Sequence, residues 1–279
     1  MIFIQRKIIF RIFAPNFNTL IMKKYVKDLT VASVEYPHER YVLLKLTDNE
    51  PLPDVLPGQF VEVKVEGSPN TFLRRPISIN YYNKETNQLW LLVAMVGEGT
   101  RTLGQLKAGD KLNLVFPLGN GFSPVQKSGE TVLLVGGGVG VAPLLQYGRY
   151  LKENGAKPVF LLGARSSKDL LELDLFRQVG DVYITTEDAS EGEKGFVTQH
   201  SILQNMKFDR ISVCGPKPMM VSVARYAKQT STPCEVSLEN MMACGLGACL
   251  CCVEKTVKGN VCVCKEGPVF DIDQLTWNI

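Results

Sequence analysis

A chain of 279 residues, 45% hydrophobic and 21% charged, has bulk enough for one large domain or two modest ones and the composition of a folded globular protein. Its formal net charge of +3 is too small to point to nucleic acid or an anionic membrane as a partner. Arg6, Lys7 and Arg11 carry that whole excess, because residues 1–21 contain no acid.

The leader MIFIQRKIIFRIFAPNFNTLI is apolar and slightly basic, as a signal peptide is. Its apolar run is broken by the three cations, and no small-residue cleavage site follows a clean hydrophobic stretch. Met22 then opens MKKYVKDLTVASV, which reads as a natural start running into an alternating strand. Residues 1–21 are thus a mis-assigned start, a targeting leader, or a short extension packed on the body or a partner.

From Tyr25 to about Phe122 the pattern is short alternating runs separated by Pro, Gly, Asn and Asp clusters: YVLLKLTD, QFVEVKVEG, PISINYY, QLWLLVAMV and KLNLVFPLG. Such spacing predicts a small antiparallel barrel or sandwich of about five or six strands, over residues 22–125. Within it, FLRRPISI sets Arg75 and Ser78 at a strand end. A flavin dinucleotide needs a cation for its pyrophosphate and a donor at the isoalloxazine edge, and an arginine forks onto phosphate oxygens. VGEGT, residues Val96 to Thr100, is a glycine-bounded turn followed by Arg101 whose backbone N–H groups suit the same pyrophosphate.

Beyond Lys127–Glu130, strands alternate with helical stretches, starting with the apolar TVLLVGG and followed by PLLQYGRYLKENG, PVFLLGA, LLELDLFRQV, DVYITTED, RISVCGP and PMMVSVARYAKQ. That alternation predicts a parallel, doubly wound sheet over residues 126–230. Thr131 to Gly148 carries no charge, but Gly136, Gly137, Gly138, Gly140 and Pro143 suit a strand, a tight turn and a helix start rather than a membrane span. The turn GGGVGVAP lacks the G-x-G-x-x-G fingerprint, since position 141 is Val. A glycine turn at a strand's carboxyl end that opens a helix is still where an open sheet takes a nucleotide. CGPKPMM places Cys214 at another strand end, either as core or against a nicotinamide ring. In GARSSKDLL, Arg165 and Lys168 suit a 2′-phosphate and Asp169 a ribose hydroxyl, which leaves NAD against NADP open.

After Thr232 the periodicity ends and cysteines dominate residues 231–279. None of the eight cysteines precedes Cys214, and six lie between Cys244 and Cys264. Clustering of this kind indicates a metal and a reducing cytoplasm rather than a disulfide scaffold. Cys244, Cys249, Cys252 and Cys264 read C-x4-C-x2-C-x11-C, and the first three follow the plant-type [2Fe–2S] spacing. Structural zinc sites favour paired C-x2-C knuckles instead. Gly245 and Gly247 give the loop the positive φ angles and close N–H approach that a dianionic cluster needs. Cys251 in place of Cys252, or Cys262 in place of Cys264, are the other assignments; otherwise both are small buried hydrophobes, like Cys234. His38 and His200 lie outside every motif and read as surface or turn residues.

RRPISI, the GEGT turn, GGGVGVAP and CGPKPMM in this order resemble the ferredoxin–NAD(P)⁺ reductase family. The tail LENMMACGLGACLCCV with VCVCKEGPVF is similar, more narrowly, to the electron-transfer subunits of class B dihydroorotate dehydrogenase. The resemblance implies FAD held by Arg75, Pro76, Ile77, Ser78, Leu92, Val93, Ala94, Gly99 and Thr100. It also implies NAD as acceptor at the 136–140 turn and the cluster on Cys244, Cys249, Cys252 and Cys264. The fold it implies is an antiparallel β-barrel FAD domain, a parallel α/β NAD domain and a small C-terminal [2Fe–2S] domain. It further implies an FMN-containing catalytic subunit as partner, in a heterotetramer of two of each chain, docked near an apolar patch at Met241, Met242 and Leu246. The nearest alternative is a related flavin/iron–sulfur NAD(P)H reductase subunit serving a sulfur-reducing, hydrogenase or glutamate-synthase-like partner. A redox sensor and a zinc-stabilised interaction module are the readings outside the reductases.

Overall fold

The computed structural model describes residues 23–279, so the readings of residues 1–21 and of Met22 lie outside the described residues. The alternating runs form β1 (Tyr25–His38), β2 (Tyr41–Thr47), β3 (Phe60–Val63), β4 (Arg75–Ser78), β5 (Tyr81–Asn83), β6 (Gln88–Ala94) and β7 (Lys111–Leu118). They make one antiparallel sheet in the order β4-β3-β7-β1-β2-β6-β5. β4 and β5 are two halves of one bent run. Ile79 N bonds to Gln59 O and Asn80 N to Trp90 O, both at 3.0 Å, so this bend joins the two ends of the sheet and curls it into a barrel. Period-2 alternation sends Val61 and Val63 into the barrel core with Leu29, Leu44, Leu91 and Leu114, and turns Phe60 outward. The sheet thus has seven strands rather than five or six, because the run PISINYY bends at Ile79 and Asn80 and divides into β4 and β5. The VGEGT stretch is also more than a turn: it opens α1 (Glu98–Leu103).

The second half alternates β8 (Thr131–Gly137), α2 (Ala142–Glu153), β9 (Lys157–Ala164), α3 (Leu173–Val179), β10 (Asp181–Thr186), β11 (Glu193–Lys194), α4 (Ile202–Asn205), β12 (Arg210–Cys214), α5 (Lys217–Gln229) and β13 (Cys234–Ser237). The cysteine segment adds the hairpin β14 (Val253–Thr256) and β15 (Gly259–Cys262), the turn α6 (Val263–Glu266) and β16 (Val269–Asp271). The large sheet runs β11-β10-β9-β8-β12-β13-β16, all parallel except β16. β8 is apolar throughout because both its faces are covered. Leu133 and Val135 pack toward α4 and α5, while Val132 and Leu134 pack toward α2 and α3. α3 starts later than the apolar run LLELDLFRQV suggested, since Glu172 stands in the left-handed region at φ 55°.

The sheet runs past residue 230, where the sequence periodicity stopped: β13 and β16 are its next two strands. Buried Glu235 on β13 explains this continuity. It accepts from Ser123 N (3.1 Å), Ser123 Oγ (2.7 Å), Ser212 Oγ (2.7 Å) and the Tyr147 hydroxyl (3.3 Å), tying the linker after the barrel to α2, β12 and β13. His200 differs from the surface reading: it is buried, its Nδ1 accepts from Ile202 N at 3.0 Å, and its ring meets Tyr183 edge-on. Among the described residues no helix is long and apolar enough to cross a membrane.

The single Tyr147 hydroxyl proton is shared between Glu235 and the nearer Ser123 O at 2.9 Å. Tyr147→Phe removes a buried donor and leaves its acceptors dry, so urea unfolding should show a loss of about 1–3 kcal/mol. An unchanged midpoint would show that the network contributes nothing to stability.

Candidate functional site

The three motif regions meet where the barrel, the large sheet and the cysteine segment touch. On the barrel, Arg75, Pro76, Ile77 and Ser78 are β4 itself, all half-buried, in register with Val63, Glu62, Val61 and Phe60 of β3. The Arg75 guanidinium bonds only the carbonyls of Leu73 (2.8 Å) and Arg74 (3.2 Å) and, among the described residues, forms no salt bridge. A half-buried cation without a carboxylate partner suits a pyrophosphate. Gly99 is packed against it: a Cβ there would stand 2.9 Å from Thr71 Cγ2 and 3.4 Å from Arg75 Nε. The RPIS strand and the GEGT stretch therefore share one place. Thr100 is engaged within that stretch, its Oγ1 accepting from Gly97 N at 3.0 Å.

Leu92, Val93 and Ala94 end β6. The Val93 side chain fills the barrel core, against which Ile77 of the RPIS strand also packs, while the Leu92 side chain packs toward α2; Ala94 is half-buried. What β6 offers there is backbone, since beyond Trp90 it pairs with β2 alone.

β8 lies between β9 and β12, so the turns after β8 and β12 flank the point where the strand order reverses. Gly136 and Gly137 end β8, Gly138 adopts φ +57°, and Gly140 lies in the turn before α2. A Cβ on Gly140 would stand 2.5 Å from Gly215 Cα and 2.6 Å from Cys214 O. Glycine is needed there for backbone approach rather than for backbone angle. Cys214 ends β12 and is buried, with its Sγ 3.9 Å from Glu239 Oε1. Burial first, then the Glu239 charge, push its thiol well above the usual range, so it is an unreactive thiol. A cavity of about 140 Å³ lined by Gly215, Lys217, Glu239, Asn240 and Glu254 opens beside it, toward the cysteine segment. Asp169 does not stand free for a ribose hydroxyl: its carboxylate takes Arg40 of the barrel and Ser166 Oγ (3.0 Å). Arg165 and Lys168 are exposed.

The cysteine loop rests on the barrel's outer face. A Cβ on Gly245 would meet Glu62 Cγ at 2.7 Å and Leu118 Cδ1 at 2.9 Å, and Gly245 has φ +66°. Asn120 clamps the segment, its N–H on Gly267 O (2.6 Å) and its amide on Lys265 O (3.1 Å) and Glu266 O (2.9 Å). The thiols lie in two pairs, Cys249 beside Cys244 and Cys264 beside Cys252, and Cys264 N donates to Cys252 Sγ at 3.4 Å. Leu246 N points at Cys244 Sγ (3.3 Å) and Gly247 N at Cys264 Sγ (3.1 Å). Burial raises the Cys244 thiol, but N–H groups of Leu246, Cys249 and Ala248 and the Cys249 thiol outweigh it and bring it down to about 6. Burial, followed by the Cys252 sulfur, pushes Cys264 up to about 12. Among the described residues no three His, Cys, Asp or Glu side chains form a group for a single metal ion. Two thiol pairs under inward N–H donors are the donor set of a two-iron cluster. Cys262 and Cys234 are buried as expected of small hydrophobes, whereas Cys251 is exposed, contrary to that reading, because it lies in the turn between the loop and β14.

Three acids escaped the sequence. Glu62 is wholly buried beneath the cysteine loop with neither oxygen partnered, and burial holds it up at about 7. A lone acid on the same strand face as Phe60 was the available signal. Glu239 is raised by burial. Glu172, at the seam between barrel and sheet, is raised to about 7 by burial, its Oε1 unpartnered and sealed from solvent.

Two outcomes follow from this geometry. Gly140→Ala forces the two switch-point turns apart and should cost about 1–3 kcal/mol while weakening NAD binding in calorimetry; native affinity would contradict the close approach. Glu172 binds its proton more tightly folded than unfolded, so its stabilisation is complete below about 4.5 and is lost as pH rises through about 7. Urea midpoints measured across that window should fall with rising pH in the native chain and fall less in Glu172→Gln.

Comparison with known proteins agrees with this geometry. Residues 239–276 match the family model "Iron-sulfur cluster binding domain of dihydroorotate dehydrogenase B", and residues 134–225 match "Oxidoreductase NAD-binding domain". The dihydroorotate dehydrogenase B (NAD(+)) electron transfer subunit of Shouchella clausii is 41% identical over 226 residues, covering 78% of this chain and 86% of that one. That of Bacillus caldolyticus is 36% identical over 247 residues, covering 87% and 95%. Among solved structures, an NADH-dependent reduced ferredoxin–NADP oxidoreductase studied for flavin-based electron bifurcation superposes with a TM-score of 0.81 at 29% identity, over 90% of each chain. A ferredoxin NADP+ reductase from Neisseria gonorrhoeae shares the fold, with a TM-score of 0.60 at 14% identity over 73% of this chain and 91% of that one. The chain belongs to the family of dihydroorotate dehydrogenase B (NAD(+)) electron transfer subunits.

Proposed function

We propose that this chain passes electrons from the FMN of a dihydroorotate dehydrogenase catalytic subunit to NAD⁺, in the cytoplasm and within a heterotetramer of two of each chain. The observation that carries the reading is the meeting of the RPIS strand, the switch-point turn and two thiol pairs on one barrel. Arg75, Pro76, Ile77 and Ser78, with the backbone of Leu92, Val93 and Ala94 and the Gly99–Thr100 stretch, hold FAD. Cys244, Cys249, Cys252 and Cys264 hold a [2Fe–2S] cluster, and Gly136, Gly137, Gly138 and Gly140 receive NAD⁺. Bound there, the flavin and the cluster supply the conversion between single-electron and hydride chemistry.

The chain's own residues bind and orient. Arg75 offsets pyrophosphate charge, and the inward N–H groups of Leu246 and Gly247 offset charge on the sulfurs. Cys214 lines the switch point as a neutral thiol, without a nucleophilic role. Glu62 separates the flavin strand from the cysteine loop as a buried acid whose carboxyl burial pushes up to about 7.

The face presented to a partner is apolar. Met241, Leu246 and Leu250 are exposed beside the cysteines, at 84%, 48% and 65%. Met242 belongs to the core instead, which corrects its place in the expected patch.

Cys249→Ser should abolish dihydroorotate-dependent NAD⁺ reduction by the reconstituted complex and leave NADH oxidation by an artificial dye largely intact. Loss of neither activity would remove the cluster from the route. A native chain that oxidises NADH but ignores dihydroorotate and its catalytic subunit would move the function to another reductase partner.

A further inference from the structure

Asn80 is completely buried at the seam between the barrel and the large sheet. It lies two residues beyond Ser78, at the bend between β4 and β5, and its N–H is fixed to Trp90 O at 3.0 Å. Its side-chain nitrogen crosses the seam and donates twice, to Ala142 O at 3.2 Å and to Glu172 Oε2 at 2.8 Å. Ala142 opens α2, two residues beyond Gly140, and Glu172 caps α3. One side chain thus joins the end of the flavin strand to the first residue after the nucleotide turn.

The chemistry of both partners sets the orientation of the amide. A carbonyl and a carboxyl oxygen both accept, so the amide nitrogen must face them; turned over, Oδ1 would oppose two oxygens. Only an NH₂ group offers two donors from one atom at this reach. Serine and threonine offer one, aspartate none. The Oδ1 atom itself is left without a partner, so the two donated bonds are what the residue contributes. Adhesion at the seam is already supplied by Leu43, Leu92, Leu144 and Leu145. Apolar contact is non-directional, whereas two hydrogen bonds from one atom fix a distance and an angle.

We propose that Asn80 is a positioning residue for hydride exchange, holding the flavin strand at a set distance from the turn that receives the dinucleotide. The proposal rests on the function given above. Hydride transfer is steep in distance, and a displacement of about 1 Å costs roughly a hundredfold in rate. A residue that fixes the spacing of the two motifs acts on that distance without touching either ligand.

The test uses the full chain with its FAD, comparing native, Asn80→Ala, Glu172→Ala and Glu172→Gln proteins. Single-turnover flavin reduction by NADH is measured with FAD content, NAD⁺ affinity and the long-wavelength charge-transfer absorbance of reduced flavin with NAD⁺. Asn80→Ala should slow reduction by about tenfold or more and lose the charge-transfer band, with FAD content and affinity within about twofold of native. Glu172→Gln keeps an acceptor oxygen for Asn80 and should stay near the native rate, while Glu172→Ala should fall between. Native rate and native band in Asn80→Ala, or slowing that matches lost FAD, would overturn the proposal. If Asn80→Ala does not fold, Glu172→Ala decides it by the same two readouts, and no change in either counts against it. Amide hydrogen exchange over residues 142–146 is read in parallel and should quicken when the clamp is cut. A native chain that binds NAD⁺ without reducing flavin would sink the proposed function instead, and the exchange comparison would still decide whether Asn80 pins α2.

Discussion

Burial on both faces of the barrel strands is the constraint on which the rest of this structure depends. The inward residues of β2, β3, β6 and β7 fill the barrel, and several of their outward neighbours are buried and apolar as well. Leu43 and Leu92 face outward into the core that holds α2. Phe60 and Leu118 face outward into the core that holds Cys252, Val263 and Cys264. Each fully buried Leu or Phe contributes roughly 1.5–3 kcal/mol. A surface ion pair such as Arg40–Asp169 across the same seam contributes under about 1 kcal/mol. The apolar faces therefore decide that the large sheet and the cysteine segment sit on adjoining sides of one barrel.

Electrostatics then differentiates the places so created. On the flavin strand a cation stands without a salt-bridge partner among the described residues. In the cysteine loop, N–H groups point at sulfur and favour thiolate on Cys244, which positive φ at Gly245 and Gly247 makes possible. Between the two, Glu62 is wholly buried with no partner, and burial favours its neutral form. Such an arrangement lessens the negative charge beside the sulfurs while leaving the cation available for phosphate. At the switch point the same economy of charge holds, since Cys214 is kept as a thiol by burial beside Glu239.

The cysteine segment is less separate than its composition suggests. β16 completes the edge of the large sheet, antiparallel to β13, and Asn120 at the barrel's end bonds three carbonyls of residues 265–267. The segment is thus held from two sides at once, with its paired thiols near the barrel strand that pairs with RPIS. A loop whose own residues are mostly small and partly exposed gains its shape from these two supports.

Local chemistry made much of this legible in the chain. Alternation of period 2 and apolar runs followed by glycine turns define the barrel and the parallel sheet, because those patterns reflect one-sided and two-sided burial. The C-x4-C-x2-C-x11-C spacing pointed to a cluster and to four preferred thiols, while Cys251 and Cys262 stayed as alternatives in the chain alone. The sequence did not show that β13 and β16 extend the sheet, that Met242 and His200 are buried, or that Cys251 is exposed. Nor did it show that Asp169 is taken by Arg40, that Glu62 lies under the cysteine loop, or that Asn80 joins two motifs 62 residues apart. These depend on which surfaces meet. Periodicity records how a strand or helix divides its own two faces, and only the packed structure decides what each face is packed against.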